Sequence, residues 1–423
     1  MEMKKVLVIG SGGREHAIVD ALSRSPQVGR IWCAPGNAGI AAQAECVPIK
    51  DTDVDSLVEF AEKNGVDLTV VGPEASLAVG VADAFRARGL KIFGHSKAAT
   101  RIESSKEFAK KVMEKYGIPT SGYRAFDSYD EALAYVAGRP FPAVLKYDGL
   151  AAGKGVVIAQ DLAEATEALK DMLLDDRFGK GRVVVEDFLT GPEFSFMAFV
   201  RGSEVRPMIL AQDHKRAYDG DKGPNTGGMG AYTPLPFISQ EERDFALKEI
   251  LQKTSEAMCS EGCPLSGVLY AGLMKTADGV KVIEFNARFG DPETEVVLPL
   301  LKSDIYEIFS AVADTSADAP LPEPAWENSC AVGIVLASKG YPGSYSKGFE
   351  IKGLEKVDGT VFHMGTAQKD GRTVTNGGRV LFVTCKGKDL MSALSKANAE
   401  VEKVECDNLF HRSDIGHQIQ QDK

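Results

Sequence analysis

Short apolar runs alternate with amphipathic stretches from Lys4 to Gly94. Val6–Ile9, Ile31–Cys33, Leu68–Val71 and Ile92–Phe93 read as buried strands, whereas Ala17, Ile18, Ala21 and Leu22, then Leu57–Ala61, then Ala78–Phe85 read as helix faces. Strands alternating with helices predict an α/β unit, a parallel sheet covered on both faces. In such sheets ligands bind beyond the carboxyl ends of the strands. Here the runs end in the glycine loops Gly10-Ser-Gly-Gly-Arg-Glu15, Ala34-Pro-Gly-Asn-Ala-Gly39 and Val71-Gly-Pro-Glu74.

Residues 98–116 carry one helical stripe, Ala98, Ala99, Ile102, Phe108, Ala109, Val112 and Met113, stopped by Gly117 and Pro119. From Thr120 to about Glu193, strands at Ala143–Lys146, Gly155–Ala159 and Arg182–Phe188 and helices at Ser128–Ala137 and Leu162–Leu174 outline a small α+β lobe. Residues 194–312 add strands, a glycine-rich connector at Gly220–Gly230 and a strand pair at 266–286. The proline-rich Ala319-Pro-Leu-Pro-Glu-Pro324 marks a hinge before a β-rich tail with turns at Tyr341-Pro-Gly, Asp358-Gly and Asn376-Gly-Gly.

At 423 residues the chain has room for about three domains. Sixty acids against 49 bases leave a net charge of −11, which disfavours nucleic acid as a partner. No stretch approaches the ~20 apolar residues that cross a bilayer, and Met1–Ile9 lacks a signal-peptide pattern, so a cytoplasmic protein without a membrane partner is expected. The seven cysteines are scattered; Cys259 and Cys263 lack a second ligand pair for zinc. Glycine stands out at 43 residues.

Gly10-Ser-Gly-Gly-Arg-Glu-His16 follows a strand and opens a helix, where free backbone N–H groups favour a phosphate. It is an incomplete dinucleotide fingerprint, with Glu15 at the third position, and also reads as a plain strand-to-helix turn. Gly149-Leu-Ala-Ala-Gly-Lys-Gly155 lies between two strands and lacks P-loop spacing; such a hairpin with Lys154 can fold over a polyphosphate, with Lys146 on the strand leading in. In Val282-Ile-Glu-Phe-Asn-Ala-Arg-Phe-Gly-Asp-Pro-Glu293, strand alternation places Glu284, Asn286 and Arg288 on one face and Ile283, Phe285 and Ala287 on the other. Glu284 and Asn286 suit Mg²⁺, which takes hard oxygen ligands. Asp291-Pro-Glu293 also reads as an ordinary helix start. Gln212-Asp-His-Lys-Arg216 runs into Gly223-Pro-Asn-Thr-Gly-Gly-Met-Gly230, a loop costly to order without a ligand or close neighbour.

These segments, with Asn376-Gly-Gly-Arg-Val380, resemble in order the phosphoribosylamine–glycine ligases of the ATP-grasp superfamily over nearly the whole chain. The resemblance implies an ATP-dependent ligase of purine synthesis that joins glycine to 5-phosphoribosylamine through glycyl phosphate, with Mg²⁺ or Mn²⁺ as cofactor, acting as a monomer or weak homo-oligomer. It implies a Rossmann-like domain at 1–105, an ATP-grasp domain at 106–318 with a mobile lid lobe at 120–193, and a β-rich domain at 325–423. Carried over by position, Lys106, Lys146, Gly153, Lys154 and Gly155 would hold ATP phosphates. Glu186, Asp187, Phe188 and Leu189 would form the adenine edge, and Glu193 would take the ribose. Glu284 and Asn286 would bind the metal. Gly12, Gly13, Arg14, Glu15, Asn37, Gly72, Pro73 and Glu74 would face phosphoribosylamine, with Lys215 and Pro292 also on the substrates. Asp213, Arg288 and Asp291 would be catalytic. Tyr147, Pro192 and His95 depart from the family pattern, the first two at the adenine pocket and His95 at the sugar-phosphate edge. An ATP-grasp carboxylase or formate-using transformylase and a non-catalytic nucleotide-binding protein are the alternatives. Residues 212–216 and 223–232 favour the ligase over the first, and intact Lys106, Lys146, Glu284 and Asn286 count against the second.

Overall fold

A computed structural model describes residues 3–150, 155–175 and 181–420. Its N-terminal sheet is five-stranded and parallel, in the order Glu45–Cys46, Val28–Pro35, Lys4–Gly10, Leu68–Val71, Ile92–Phe93. Period-two alternation divides the first strand between two cores: Val6 and Val8 join one, Leu7 and Ile9 the other. The helices Gly13–Ser23 and Val54–Asn64 belong to these opposite faces, burying Ile18 and Leu22 in the first core and Leu57 and Ala61 in the second.

The expected single helix over 98–116 is two, Lys97–Ser104 and Lys106–Tyr116. Ser105 breaks it: its backbone is extended (φ −129°, ψ 110°), and its hydroxyl accepts from the Phe108 N–H as the second helix's cap. Beyond it lies the lobe, an antiparallel sheet in the order Tyr123–Phe126, Val183–Asp187, Ala143–Tyr147, Val156–Ala159, backed by helices Tyr129–Ala137 and Leu162–Leu173. Leu145, Ala165, Leu169, Val183 and Val185 form a core of its own.

The central sheet runs Glu204–Pro207, Glu193–Arg201, Ser266–Thr276, Gly279–Asn286. The tail sheet, however, recruits strands from the central segment: Gln212–Asp213 and Gly230–Thr233 precede Cys330–Ser338, Arg379–Gly387 and Thr360–His363 in its order. The glycine-rich connector is therefore bracketed by the tail sheet, and inside it Arg216–Tyr218 pairs with Lys222–Asn225 as a hairpin. The proline-rich segment is tied down: Leu321 is buried, its carbonyl accepts from Arg206 Nε at 3.0 Å and its N–H donates to Glu204 at 2.9 Å.

Candidate active site

The N-terminal sheet, the lobe, the central sheet and the tail all contribute to one cavity of about 460 Å³. On its central wall the strand Gly279–Asn286 is irregular. Gly272 faces Glu284 and Leu273 faces Val282, so Ile283 is an extra residue in the ladder. This bulge corrects the alternation reading: Ile283 lines the cavity together with Glu284, Asn286 and Arg288, while Phe285 and Ala287 stay buried behind. The Ile283 carbonyl accepts from Lys146 Nζ at 2.8 Å.

Lys146 lies in a buried charge triad. Its ammonium is 2.9 Å from one Glu186 oxygen, and Lys110 is 2.9 Å from the other. Lys110 also donates to the Thr120 and Ser121 hydroxyls, each at 2.8 Å. Burial would raise the Glu186 carboxyl, but the two lysines outweigh it and hold it below the ordinary range. Burial pushes Lys110 down to about 8 despite Glu186.

Around the strand end, Arg288 donates to Asn286 Oδ1 at 3.1 Å and pairs with Glu103 at 3.3 Å and Glu74 at 3.5 Å. Burial would raise Glu284, yet Lys106, Lys215, Lys146 and Arg288 together bring it down to about 2. It is an ionised carboxylate beside an amide oxygen, facing several cations. Among the described residues no cluster of three or more His, Cys, Asp or Glu could hold a metal by itself.

A second group of acids lies on the same cavity. Glu293 accepts from Tyr270 at 2.6 Å and Ser195 at 2.7 Å, and Lys215 pairs with Glu193 at 2.7 Å. Burial raises the Asp213 carboxyl to about 7; Lys215 pulls it down, while Glu293 and Glu193 push it up. Asp291 does not cap the following helix, whose cap position is Glu293; it pairs with Arg379 at 2.9 Å.

At the N-terminal loops, Glu15 turns back on its own helix. One oxygen accepts from the Gly12 N–H at 2.6 Å, the other from Arg14 Nε at 2.6 Å, and Arg14 also donates to the Phe289 carbonyl at 3.0 Å. A Cβ on Gly72 would come within 2.0 Å of Glu15 Oε1, which accounts for that glycine.

Of the residues singled out in the sequence, Arg14, Glu74, Lys106, Lys146, Gly155, Glu186, Asp187, Phe188, Leu189, Glu193, Asp213, Lys215, Glu284, Asn286, Arg288 and Asp291 line the cavity. Gly12, Gly13, Glu15, Gly72, Pro73 and Pro292 lie outside its lining. Asn37 is placed elsewhere too, its amide donating to the Ser11 carbonyl at 2.8 Å and the His363 carbonyl at 2.7 Å. Gly153 and Lys154 fall outside the described residues. His95 is fully buried: it accepts at Nδ1 from the Ser266 N–H (3.0 Å) and donates from Nε2 to the Val268 carbonyl (2.8 Å), clipping the N-terminal unit to the central sheet. Tyr147 packs against Gly149, where a Cβ would meet its ring at 2.6 Å.

The sequence reading missed Glu103, Lys110, Tyr270, Glu293 and Arg379. For two there was a signal, a charge on an apolar helix stripe: Glu103 beside Ala99 and Ile102, Lys110 beside Ala109, Val112 and Met113.

Models of three domains match this chain in order: the N domain of phosphoribosylglycinamide synthetase over residues 4–103, its ATP-grasp (A) domain over 104–294 and its C domain over 331–418. The chain belongs to the phosphoribosylglycinamide synthetase family. Within that family it is 53% identical over 415 residues to the phosphoribosylamine–glycine ligase of Halalkalibacterium halodurans, covering 97% of this chain and 96% of that protein. It is 48% identical over 422 residues to the trifunctional purine biosynthetic protein adenosine-3 of Gallus gallus, covering 98% of this chain and 42% of that longer protein. The crystal structure of the Thermotoga maritima phosphoribosylamine–glycine ligase superposes with a TM-score of 0.85 at 34% identity, covering 97% of this chain and 99% of that one. The biotin carboxylase domain of Hydrogenobacter thermophilus 2-oxoglutarate carboxylase, solved with MgADP, shares the fold at a TM-score of 0.71 and 16% identity, over 97% of this chain and 92% of that one. The synthetase family thus has an ATP-grasp domain where this chain carries the central sheet and the lobe. No helix among the described residues is long and apolar enough to cross a membrane.

Proposed function

We propose that this chain, an ATP-dependent ligase of purine biosynthesis by its family, joins glycine to 5-phosphoribosylamine through glycyl phosphate, releasing ADP and phosphate. The observation that carries the reading is the composition of one cavity wall: Lys106, Lys146, Lys215 and Arg288 around the ionised Glu284, with Asp213 and Glu293 beside them.

Phosphoryl transfer depends on position and charge neutralisation more than on covalent help. Lys146, fixed by Glu186 and the Ile283 carbonyl, and Lys106, at the start of its helix, hold the ATP phosphates. Backbone groups of Glu186–Leu189 read adenine, and Glu193, beside Lys215, takes the ribose. Glu284 and Asn286 fit Mg²⁺ or Mn²⁺, whose remaining ligands would be phosphate oxygens and water, and the ion would neutralise phosphate charge. Arg14 and Glu74 face the phosphoribosylamine.

A glycine carboxylate oxygen attacks the γ-phosphorus, and the bond from that phosphorus to the ADP oxygen breaks. The acyl carbon now carries phosphate as a leaving group. The amine of the sugar phosphate attacks it, the C–N bond forms, the C–O bond to phosphate breaks, and the amine proton passes to Asp291. Arg288 faces the developing oxyanion. Asp213 and Glu293, two acids on one buried wall, take the glycine ammonium.

The test supplies ATP, Mg²⁺, freshly made phosphoribosylamine and, in turn, glycine, bicarbonate or formate, and follows ADP. Release only with glycine is expected; glycine-independent turnover sinks the reading. Because the Asp213 carboxyl sits at about 7, kcat/KM for glycine should rise as pH increases through that value. Asp213→Asn should raise the glycine KM by about tenfold or more and remove that limb; an unchanged profile takes the ammonium away from Asp213.

A further inference from the structure

The hairpin Arg216–Tyr218/Lys222–Asn225 carries Asn225, Thr226 and Gly227 to the cavity, yet its second strand is exposed throughout. Its first strand buries only Ala217, and a single pair of short strands is marginal in water by itself.

Residues 412–414 bond to the hairpin's first strand and its turn. Arg412 is fully buried beside the hairpin. Its Nε and Nη2 donate to the two Asp414 oxygens at 2.7 and 2.9 Å; its Nη1 donates to the Arg216 carbonyl at 3.0 Å and lies 2.9 Å from Asp221. Asp221 is one of two non-glycine residues at positive φ among those described (51°), at the hairpin's turn. Around this guanidinium the Ser413 N–H donates to Asp219 at 2.9 Å, the Gly220 N–H to Asp414 at 2.8 Å, and the Gly416 N–H to His214 Nε2 at 2.9 Å.

The hairpin's far end is fastened to the site. Thr226 donates twice to the Lys215 carbonyl at 2.8 Å, and the Gly227 carbonyl accepts from Arg379 at 2.7 Å. Arg379 in turn holds Asp291 by its side chain at 2.9 Å and its carbonyl at 3.0 Å. A continuous set of bonds therefore runs from residues 412–416, through the hairpin and Gly227, to Arg379 and Asp291.

We propose that Arg412 is a positioning residue of the active site: with residues 413–416 it straps the hairpin from outside and so sets the place of Thr226–Gly228 and of the Arg379–Asp291 pair. That Asp291 serves phosphoribosylamine rests on the function proposed above; the strap itself does not. Arginine suits the role because its planar fork serves Asp414, Asp221 and a carbonyl at once, which a lysine ammonium cannot.

The experiment compares the full-length wild type with Arg412→Met and Arg412→Lys by amide hydrogen exchange and steady-state kinetics. In Arg412→Met, exchange over residues 222–230 should speed up while exchange over the strand Ser266–Thr276 stays unchanged. The KM for phosphoribosylamine should rise by about tenfold to a hundredfold, the KM for ATP should stay within about twofold, and Arg412→Lys should recover part of the loss. If Arg412→Met fails to fold, Asp221→Asn, which removes one partner, is read the same way with smaller shifts. Unchanged exchange over 222–230, or equal acceleration in both segments, overturns the strap. If the wild type does not use phosphoribosylamine, the functional reading falls, and exchange still decides the strap.

Discussion

Replacing Glu186 by glutamine leaves two ammonium groups facing each other without an anion. Their side chains are 2% and 4% exposed, and that of Glu186 is 4% exposed, so water does little to replace the lost charge. Breaking such a buried pair costs about 3–5 kcal/mol. Lys110→Met costs less, about 1–3 kcal/mol, because Glu186 keeps Lys146 and the Thr120 and Ser121 hydroxyls lose only one donor. If the sites were independent, the double variant would lose the sum. Instead it should be more stable than Glu186→Gln alone, because Lys110→Met removes one of the two orphaned charges. At about 2–4 °C per kcal/mol for a unit of 150–250 residues, the gap between coupled and additive outcomes is readable by calorimetry. Proton linkage gives a second reading. Lys110 has a folded pKa of about 8 against 10.5 unfolded, so between those values the unfolded chain binds more protons and this group's contribution rises with pH. In Glu186→Gln the loss of the anion extends that window downward. A double variant that melts below Glu186→Gln, and below wild type by about the sum of the single losses, refutes the triad as an energetic unit.

Two further outcomes bear on the cavity. Glu284→Gln should abolish ADP release at millimolar Mg²⁺, since the carboxylate that joins Asn286 at the strand end becomes neutral; wild-type rates would place the metal elsewhere. Gly72→Ala should displace the Glu15 carboxylate, within 2.0 Å of the new Cβ, at about 1–3 kcal/mol, and raise the phosphoribosylamine KM more than that of ATP; an unshifted melting temperature would show that Glu15 has room to move.

The N-terminal sheet was legible because strands buried on both faces, such as Val6–Ile9, are continuous apolar runs between amphipathic stretches; the structure then divides Val6 and Val8 from Leu7 and Ile9 between two cores. Its glycine loops were legible too. The partners of their side chains are a separate matter: Glu15 accepts from the Gly12 N–H and Arg14, and the Asn37 amide donates to the Ser11 and His363 carbonyls. A side chain's partners several strands away leave no mark on local spacing. Ile283 failed for another reason: a bulge depends on the facing strand, Ser266–Thr276, and strict alternation cannot anticipate it. Ser105 broke a stripe that reads as continuous, because hydrophobic periodicity does not register a serine that can cap from within.

Local sequence thus determined what nearest-neighbour physics controls: strand and helix alternation, the loops at the sheet edge, and the charged residues clustered in the 212–216 and 284–293 segments. The tertiary structure alone decided which of those charges meet. Lys110 finds Glu186 across 76 positions, Arg379 finds Asp291 across 88, and residues 212–213 and 230–233 leave the central segment to join the tail sheet. Burial is the physical reason. Each of these charges is removed from water only when distant elements pack together, and only then must it find a partner.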